Sequence, residues 1–205
     1  VFKNGTSEVT PSVVHVDANG RVRVGSKAIS SLTRPGGPDN VKIEFKRQMG
    51  TDNSFDFKDA GLSKTAEELS AEVLKELRKV AEERGEDVRY AVITVPAMFE
   101  LSQKGATQRA AKLAGFEKTV LLQEPIAAAI GYGFEREVAE EFWLVYDLGG
   151  GTFDTSILST RDGQLTVVGN AGDNFCGGKN FDALIVSQLL IPYLKTKHNL
   201  EATTD

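Results

Sequence analysis

Two aspartates flank three consecutive glycines in the stretch "YDLGGGTFD" at residues 146–154. The residues that follow the glycines alternate and are rich in β-branched types, which predicts that Gly149, Gly150 and Gly151 form a turn between two strands. Glycine can adopt positive φ, so several backbone N–H groups can converge on an anion with no side chain in the way. The stretch lacks the features of a Walker loop or a dinucleotide fingerprint, and a phosphate fits this turn.

The two aspartates indicate a metal ion beside the glycines. Asp147 ends the first predicted strand, and its carboxylate alone would repel a phosphate. A hydrated Mg²⁺ between the two groups removes this conflict, because Mg²⁺ keeps several waters and takes few protein carboxylates. Thr152 could donate its hydroxyl to a phosphate oxygen. Asp154 is two residues further along, so its side chain would lie on the same face of the strand as Thr152 and could also face the site. The alternative interpretation is a tight hairpin with aspartates that cap its turn.

Three further places carry residues that could act on a phosphate. Glu124 lies between a predicted strand and a helix N-terminus, where it could orient or deprotonate a water, although the helix dipole alone would also favour a carboxylate there. Gly177 and Gly178 precede a predicted helix, which suits either a phosphate contact or an ordinary loop-to-helix junction. Lys46, in "EFKRQMG", is the weakest signal when taken alone, because most lysines are simply solvated.

Periodicity predicts the elements that would position these residues. A capping box at Thr65 and Glu68 begins the clearest predicted helix, over 65–84. In the last predicted helix, Pro192 should cause strain. Strands 90–95 and 119–123 are so apolar that we expect both of their faces to be covered. The other predicted strands are 13–16, 21–24, 41–49, 142–148, 152–160 and 164–172, and the other helices are 27–32, 102–114, 124–133 and 180–195. The sequence therefore predicts a mixed α/β protein.

The composition argues against several classes of partner. The 205 residues include 24 basic and 29 acidic ones, for a net charge of −5, and no basic stripe is present, so we expect no nucleic acid and no anionic membrane as partner. No apolar run reaches the roughly 18 residues of a membrane span. A single cysteine, Cys176, cannot form an internal disulfide, which favours a reducing, cytoplasmic compartment.

Four motifs occur in the order and spacing of the nucleotide-binding domain of 70-kilodalton heat-shock chaperones, the DnaK-like family. They are "VITVPAMFELSQKGATQRAAKLAGF" at 92–116, "LLQEPIAAAIGYG" at 121–133, "YDLGGGTFD", and "AGDNFCGGKNFD" at 171–182. The resemblance implies the actin-like ATPase fold, in which ATP lies between two lobes that are each based on a ribonuclease-H-like sheet. We expect 1–140 to be most of the first lobe, with an outer subdomain at about 12–63, and 141–205 to begin the second, with the boundary in the polar stretch near 140.

The resemblance also implies roles for the matching residues. Asp147 is similar to the aspartate that holds the magnesium–water cluster, and Asp154 to its other acidic member. Glu124 resembles the carboxylate near the attacking water, and Lys46 the lysine that approaches the γ-phosphate. The second phosphate loop of the family is similar to Gly149, Gly150, Gly151 and Thr152. Contacts to the nucleotide are implied for Gly177, Gly178 and Lys179. Residues that pass the nucleotide state to a peptide-binding domain match Pro96 and Lys104.

The implied function is Mg²⁺-dependent hydrolysis of ATP to ADP, which controls peptide binding by a separate domain. The implied partners are that domain, unfolded client peptides, a J-domain co-chaperone and a nucleotide exchange factor. A filament-forming scaffold and a small-molecule kinase of the same fold stay open as alternatives. The chain departs from the family pattern because it lacks the first phosphate loop and carries Lys179 where an acid is usual, so we expect weak nucleotide binding and little turnover by this chain alone.

Overall fold

The fold is described from a computed structural model, for residues 3–5, 7–34, 36–133 and 141–203. The chain divides into two units. The first consists of Val1–Val95 and Phe99–Leu122, and the second of Pro96–Met98 and Gln123–Asp205. The lobe boundary that the sequence predicts near 140 adjoins 134–140, which lie outside the described residues, and it stays a prediction.

The first unit is built from short strands and two long helices, and its first five strands pair in antiparallel fashion. Strand β1 lies between β2 and β3, and β4 pairs with β5. A further two-stranded sheet contains β6 and β7. The strands are β1 (Val14–Val16), β2 (Val22–Val24), β3 (Val41–Lys42), β4 (Ser54–Phe57), β5 (Leu62–Thr65), β6 (Tyr90–Val95) and β7 (Lys118–Gln123), and the helices are α1 (Ser26–Ile29), α2 (Gly37–Asn40), α3 (Ala66–Glu82) and α4 (Leu101–Leu113).

The hairpin of β1 and β2 is confirmed, and its turn is held by one side chain. Asp17 Oδ1 accepts from the backbone N–H groups of Asn19 at 2.9 Å and Arg21 at 3.0 Å. These two hydrogen bonds hold the pKa of Asp17 below its ordinary value, and the bond from Arg21 contributes most. Gly20 has φ 75°, the left-handed conformation that favours glycine in such turns.

Helix α3 forms as its sequence predicts. Thr65 is the N-cap, its side chain accepts from the N–H of Glu68, and the Glu68 carboxylate accepts from the N–H of Thr65. The apolar face of α3 packs on the β1–β2 strands and on α4. The core of this unit contains Val14, Val16, Val24, Phe45, Met49, Phe57, Leu69, Val73, Ala106 and Ala110.

The strand predicted over 41–49 is wrong beyond Lys42. Glu44 has φ 58°, which ends the extended backbone, and Phe45–Gln48 form a 3₁₀ helix. The physical reason is burial, because Phe45 is 2% and Met49 4% exposed. A strand would place Arg47 on the same face as these two side chains, whereas here Arg47 forms an ion pair with Glu44 at 3.4 Å.

The prediction that β6 and β7 are covered on both faces is wrong in the described structure. Tyr90 is 62%, Val92 65% and Val120 53% exposed. The opposite face is covered, since Ala91 and Ile93 pack on the cluster around Phe116 of the segment after α4. An apolar run indicates the affinity of a strand for burial, but it does not determine how many layers cover the strand.

The second unit contains one antiparallel sheet in the order β10-β9-β8. Its elements are α5 (Glu124–Tyr132), β8 (Glu141–Leu148), β9 (Phe153–Arg161), β10 (Gln164–Asp173), α6 (Gly178–Ile185) and α7 (Ile191–His198). A π-helical segment at Val186–Leu190 joins α6 to α7 and ends just before Pro192, where the sequence predicts strain. None of the helices in the described ranges has the length and apolar content that a membrane span needs.

His15, at the centre of β1, is a buried histidine whose charge state is coupled to folding. Its side chain is 8% exposed, and its Nδ1 has no hydrogen-bond partner within the described ranges. Burial lowers the pKa of His15, and the positive charges of Arg23 and Arg34 lower it further, while Asp17 and Asp59 oppose the shift. The folded state therefore favours the neutral imidazole.

We expect the stability of the chain to fall as the pH is lowered through 6.5, the ordinary pKa of histidine. Below that pH the unfolded chain takes up a proton on His15 that the folded chain excludes, so the loss continues down to the lowered pKa of the folded state. Urea unfolding between about pH 5.5 and 7.5, above the range in which carboxylates titrate, measures it.

His15→Gln should flatten this pH dependence. His198→Gln, which removes the other histidine from an exposed position, should leave it unchanged. If the pH dependence of the His15→Gln variant equals that of the unaltered chain, a different group produces it.

Candidate functional site

The three glycines lie in the turn between β8 and β9, and the start of α6 holds this turn. The N–H of Gly149 donates to the carbonyl of Thr152 at 2.8 Å, which closes the turn. The N–H of Gly178 donates to the carbonyl of Gly149 at 3.0 Å, and that of Lys179 to Gly150 at 2.9 Å. The glycine turn and the helix start therefore form one hydrogen-bonded structure.

The two segments also approach too closely for a side chain. A Cβ at Gly177 would lie 2.5 Å from the backbone N of Gly151 and 2.6 Å from the backbone C of Gly150. In the neighbouring β9–β10 ladder, a Cβ at Gly172 would likewise collide with the carbonyl oxygen of Phe153. Real Cβ atoms essentially never come so near to backbone, so glycine is required at 172 and 177 for steric reasons.

Asp147 and Asp154 face each other across the β8–β9 ladder. They are direct partners in the antiparallel register, so their side chains lie on the same face of the sheet. Asp154 is 9% exposed, whereas Asp147 is exposed. Like charges directly opposite each other are destabilising in a sheet, so this pair favours a cation between the two carboxylates.

The donor set suits an ion that keeps its waters. Within the described ranges, no group of three or more His, Cys, Asp or Glu side chains is placed to ligate a metal directly. Mg²⁺ typically binds through one or two carboxylates while it retains several waters. Two opposed carboxylates beside a glycine turn therefore fit hydrated Mg²⁺ better than a fully protein-ligated metal.

Two polar side chains that the sequence reasoning missed fix the loop between β10 and α6. Asp173 Oδ1 accepts from the N–H of Phe175 at 2.7 Å. Asn180 Oδ1 accepts from the N–H of Gly177 at 2.9 Å. The signals were present, because Asp two residues before a turn N–H and Asn three residues after a helix N-cap are common side-chain caps. The backbone donors of 177–179 are all used within the protein.

Glu124 is the first residue of α5, and Gln123 is the N-cap. Helix α5 contacts all three strands of the second unit's sheet. The Glu124 side chain is half-buried and lies at the N-terminal end of the helix. The structure thus brings Glu124, Asp147, Asp154 and the glycine turn into the same unit.

Lys46 lies in the first unit, in the 3₁₀ helix Phe45–Gln48. Its Nζ is 5.8 Å from the centroid of the Phe99 ring, a cation–π contact. Gly50, at the end of this segment, has φ 77°, and a Cβ there would lie 2.9 Å from the backbone N of Gln103. The Lys46 segment is therefore fixed against the first turn of α4.

The two residues expected to transmit the nucleotide state are placed as follows. Lys104 lies in the first turn of α4, is half-buried, and donates its N–H to the carbonyl of Glu100 at 3.0 Å. Pro96 directly follows β6, is buried and belongs to the second unit. Each therefore lies at or near the end of an element.

One comparison with known proteins bears on this site. A family model described as "Hsp70 protein" matches residues 1–205. The match covers the whole of the chain, so it includes both units and every candidate site residue.

Gly177→Ala should disrupt the junction between the glycine turn and α6, because the added methyl group would meet backbone atoms that cannot rotate away. We expect local destabilisation of about 1–3 kcal/mol. The amide hydrogens of Gly178 and Lys179 should then exchange about tenfold faster or more, as measured by NMR.

Gly150→Ala is the matched control, because a Cβ there meets nothing within 4 Å. It should leave the exchange of the same two amides within about threefold of the unaltered chain. Equal protection in the two variants would mean that the close approach at Gly177 does not constrain the junction.

Proposed function

The chain belongs to the Hsp70 family, and from that premise we propose that its glycine turn and its two opposed aspartates bind the phosphates and Mg²⁺ of a bound nucleotide. The family has the actin-like ATPase fold, and the mixed α/β architecture of this chain agrees with it. The chain is thus nucleotide-binding sequence of a chaperone ATPase. Family membership favours this function over a filament-forming scaffold or a small-molecule kinase.

The observation that carries the proposal is the pairing of Asp147 with Asp154 beside the turn. Two carboxylates at directly opposed positions repel each other, and the turn is closed by the backbone bond from Gly149 to Thr152. A hydrated cation would offset this repulsion and would give the neighbouring phosphates a counter-charge. When bound, Mg²⁺ would neutralise charge on the phosphate oxygens.

Each site residue has one role in the proposal. Asp147 and Asp154 would hold hydrated Mg²⁺ through its waters, and Thr152 would donate its hydroxyl to a phosphate oxygen. Glu124 orients the attacking water, and Lys46 neutralises charge on the γ-phosphate. The protein would thereby contribute positioning and electrostatic stabilisation, with little covalent chemistry. Gly149, Gly150 and Gly151 present backbone to the phosphates, and Gly177 and Gly178 keep the helix start close to that turn.

Lys179 differs in how it would contribute. Its N–H donates to the carbonyl of Gly150, so its backbone is committed to the junction. We therefore expect its effect on nucleotide binding to come from the ammonium group. A positive charge here would attract phosphate, whereas the acid that is usual in the family would repel it.

The wider assignment follows the family. We propose that 1–140 and 141–205 belong to the two lobes, that the compartment is cytoplasmic, and that Pro96 and Lys104 pass the nucleotide state to a peptide-binding domain. Client peptides bind that domain, and a J-domain co-chaperone and a nucleotide exchange factor regulate the ATP/ADP cycle. Slow ATP turnover by this chain alone stays a prediction.

Asp147→Asn tests the proposed metal role. The amide keeps the shape of the side chain but removes its charge, so binding of ADP in the presence of Mg²⁺ should weaken by about tenfold or more. Binding of ADP in EDTA should be unchanged. Because the substitution removes a repulsion with Asp154, the free energy of unfolding should stay equal or rise. Isothermal titration calorimetry and urea unfolding measure the two effects.

Asp162→Asn is the matched control. Asp162 is exposed in the β9–β10 turn with φ 50°, a conformation that asparagine tolerates well, so neither binding nor stability should change. If Asp147→Asn lowers stability as much as it lowers binding, the aspartate is structural. If the unaltered chain binds ADP no better with Mg²⁺ than in EDTA, the proposed metal site is wrong.

A further inference from the structure

A groove in the first unit lies between strand β2 and the polar side of helix α3. Its volume is about 230 Å³, and it has no part in the nucleotide site proposed above. One wall is the strand Val22–Val24, and the other is formed by α3 side chains, with Lys27 at one end. The α3 side chains are Glu72, Lys75, Glu76 and Lys79.

The strand wall of this groove is an unpaired sheet edge. The sheet order β2-β1-β3 places β2 at the edge, and no described strand pairs with its outer side. The N–H of Gly25 donates to the carbonyl of Val13, and the N–H of Asp17 donates to the carbonyl of Arg21. The backbone N–H and C=O groups of the odd-numbered residues of β2 therefore point toward β1. Antiparallel ladders alternate, and therefore the N–H and C=O groups of Val22 and Val24 point outward.

The lining of the groove as a whole carries four positive side chains and two carboxylates; the positive ones are Arg23, Lys27, Lys75 and Lys79. The two carboxylates are already bonded within the protein, because Glu72 accepts from Lys64 at 3.4 Å and from Lys75 at 3.2 Å. Glu76 accepts from the side-chain amide of Asn4 at 3.3 Å.

The lysines are held less firmly than these carboxylates. Lys79 makes only an exposed pair with Glu83 at 3.7 Å, and such pairs contribute little to stability. Lys27 has no ion-pair partner within the described ranges. Lys27 and Lys79 therefore remain able to bind an acidic ligand, and Lys75 can do so by exchanging its pair with Glu72.

We propose that this groove binds an extended acidic peptide segment, which adds to the free edge of β2 as a further strand. The backbone groups of Val22 and Val24 supply two donors and two acceptors for main-chain pairing, and the lysines select acidic side chains on the peptide. A strand of three residues offers few such bonds, so the affinity is modest and depends on salt. The partner is a flexible acidic segment of another protein.

A synthetic hexapeptide of alternating glutamate and valine, blocked at both ends, is the probe. Titrated into the whole chain and followed by NMR, it should shift the amide signals of Val22 and Val24 and slow their hydrogen exchange. A hexapeptide of alternating lysine and valine should not bind. Equal binding of the two peptides, or shifts confined to other elements, would overturn the proposal.

Charge reversal at Lys75 and Lys79 separates the groove from general attraction to a lysine-rich surface. Lys75→Glu with Lys79→Glu should weaken binding of the acidic peptide by about fivefold or more, as expected for the loss of two exposed ion pairs. Lys112→Glu with Lys118→Glu makes the same change in net charge at exposed positions that do not line the groove. If the two double variants lose the same affinity, binding is nonspecific.

The strand pairing has its own test, which leaves the protein unaltered. In an extended peptide, alternate N–H groups point to opposite sides. N-methylation of every second residue therefore blocks either the side that faces β2 or the opposite side, while the charges stay. One of the two N-methylated peptides should lose binding and the other should keep it. If both bind as well as the unmodified peptide, no strand is added to β2.

Discussion

The candidate site depends on the two hydrogen bonds that the start of α6 donates to the glycine turn. The N–H groups of Gly178 and Lys179 occupy the carbonyls of Gly149 and Gly150. They fix the turn from one side, and the β8–β9 ladder fixes it from the other. A turn of three glycines would otherwise have many accessible conformations, so its use as a binding surface requires this constraint. Glycine is needed at 177 because the same constraint leaves no space for a side chain there.

Local patterns predicted those parts of the fold that depend on neighbouring residues. The capping box at Thr65 specifies the start of α3 with its own two side chains, and the Asp17 turn specifies the first hairpin in the same way. The alternation from 142 to 172 predicted three strands, and their presence placed the glycines between β8 and β9. Recognition of the glycine turn and its two aspartates needed no tertiary information, since nine consecutive residues contain them all.

Features set by long-range packing could not be predicted in this way. The 3₁₀ helix at Phe45–Gln48 replaces a strand because two side chains enter a core formed mainly by distant residues. The exposure of Tyr90 and Val92 depends on which elements cover the sheet. The direct opposition of Asp147 and Asp154 depends on the register of the β8–β9 ladder, which a turn of one residue more or less would change. The sequence suggested that Asp154 shares a face with Thr152, and the structure adds that Asp147 and Asp154 are ladder partners.

The π-helical segment at Val186–Leu190 changes the direction in which the side chains of the C-terminal helix point. A π turn contains about one residue more than an α turn, and one residue corresponds to a rotation of about 100° around a helix axis. The side chains of α7 are therefore rotated relative to those of α6 by one position. Geometrically, the segment accommodates one extra residue without breaking the helix. The extra residue is accommodated beside Pro192, where the missing N–H already interrupts the regular ladder.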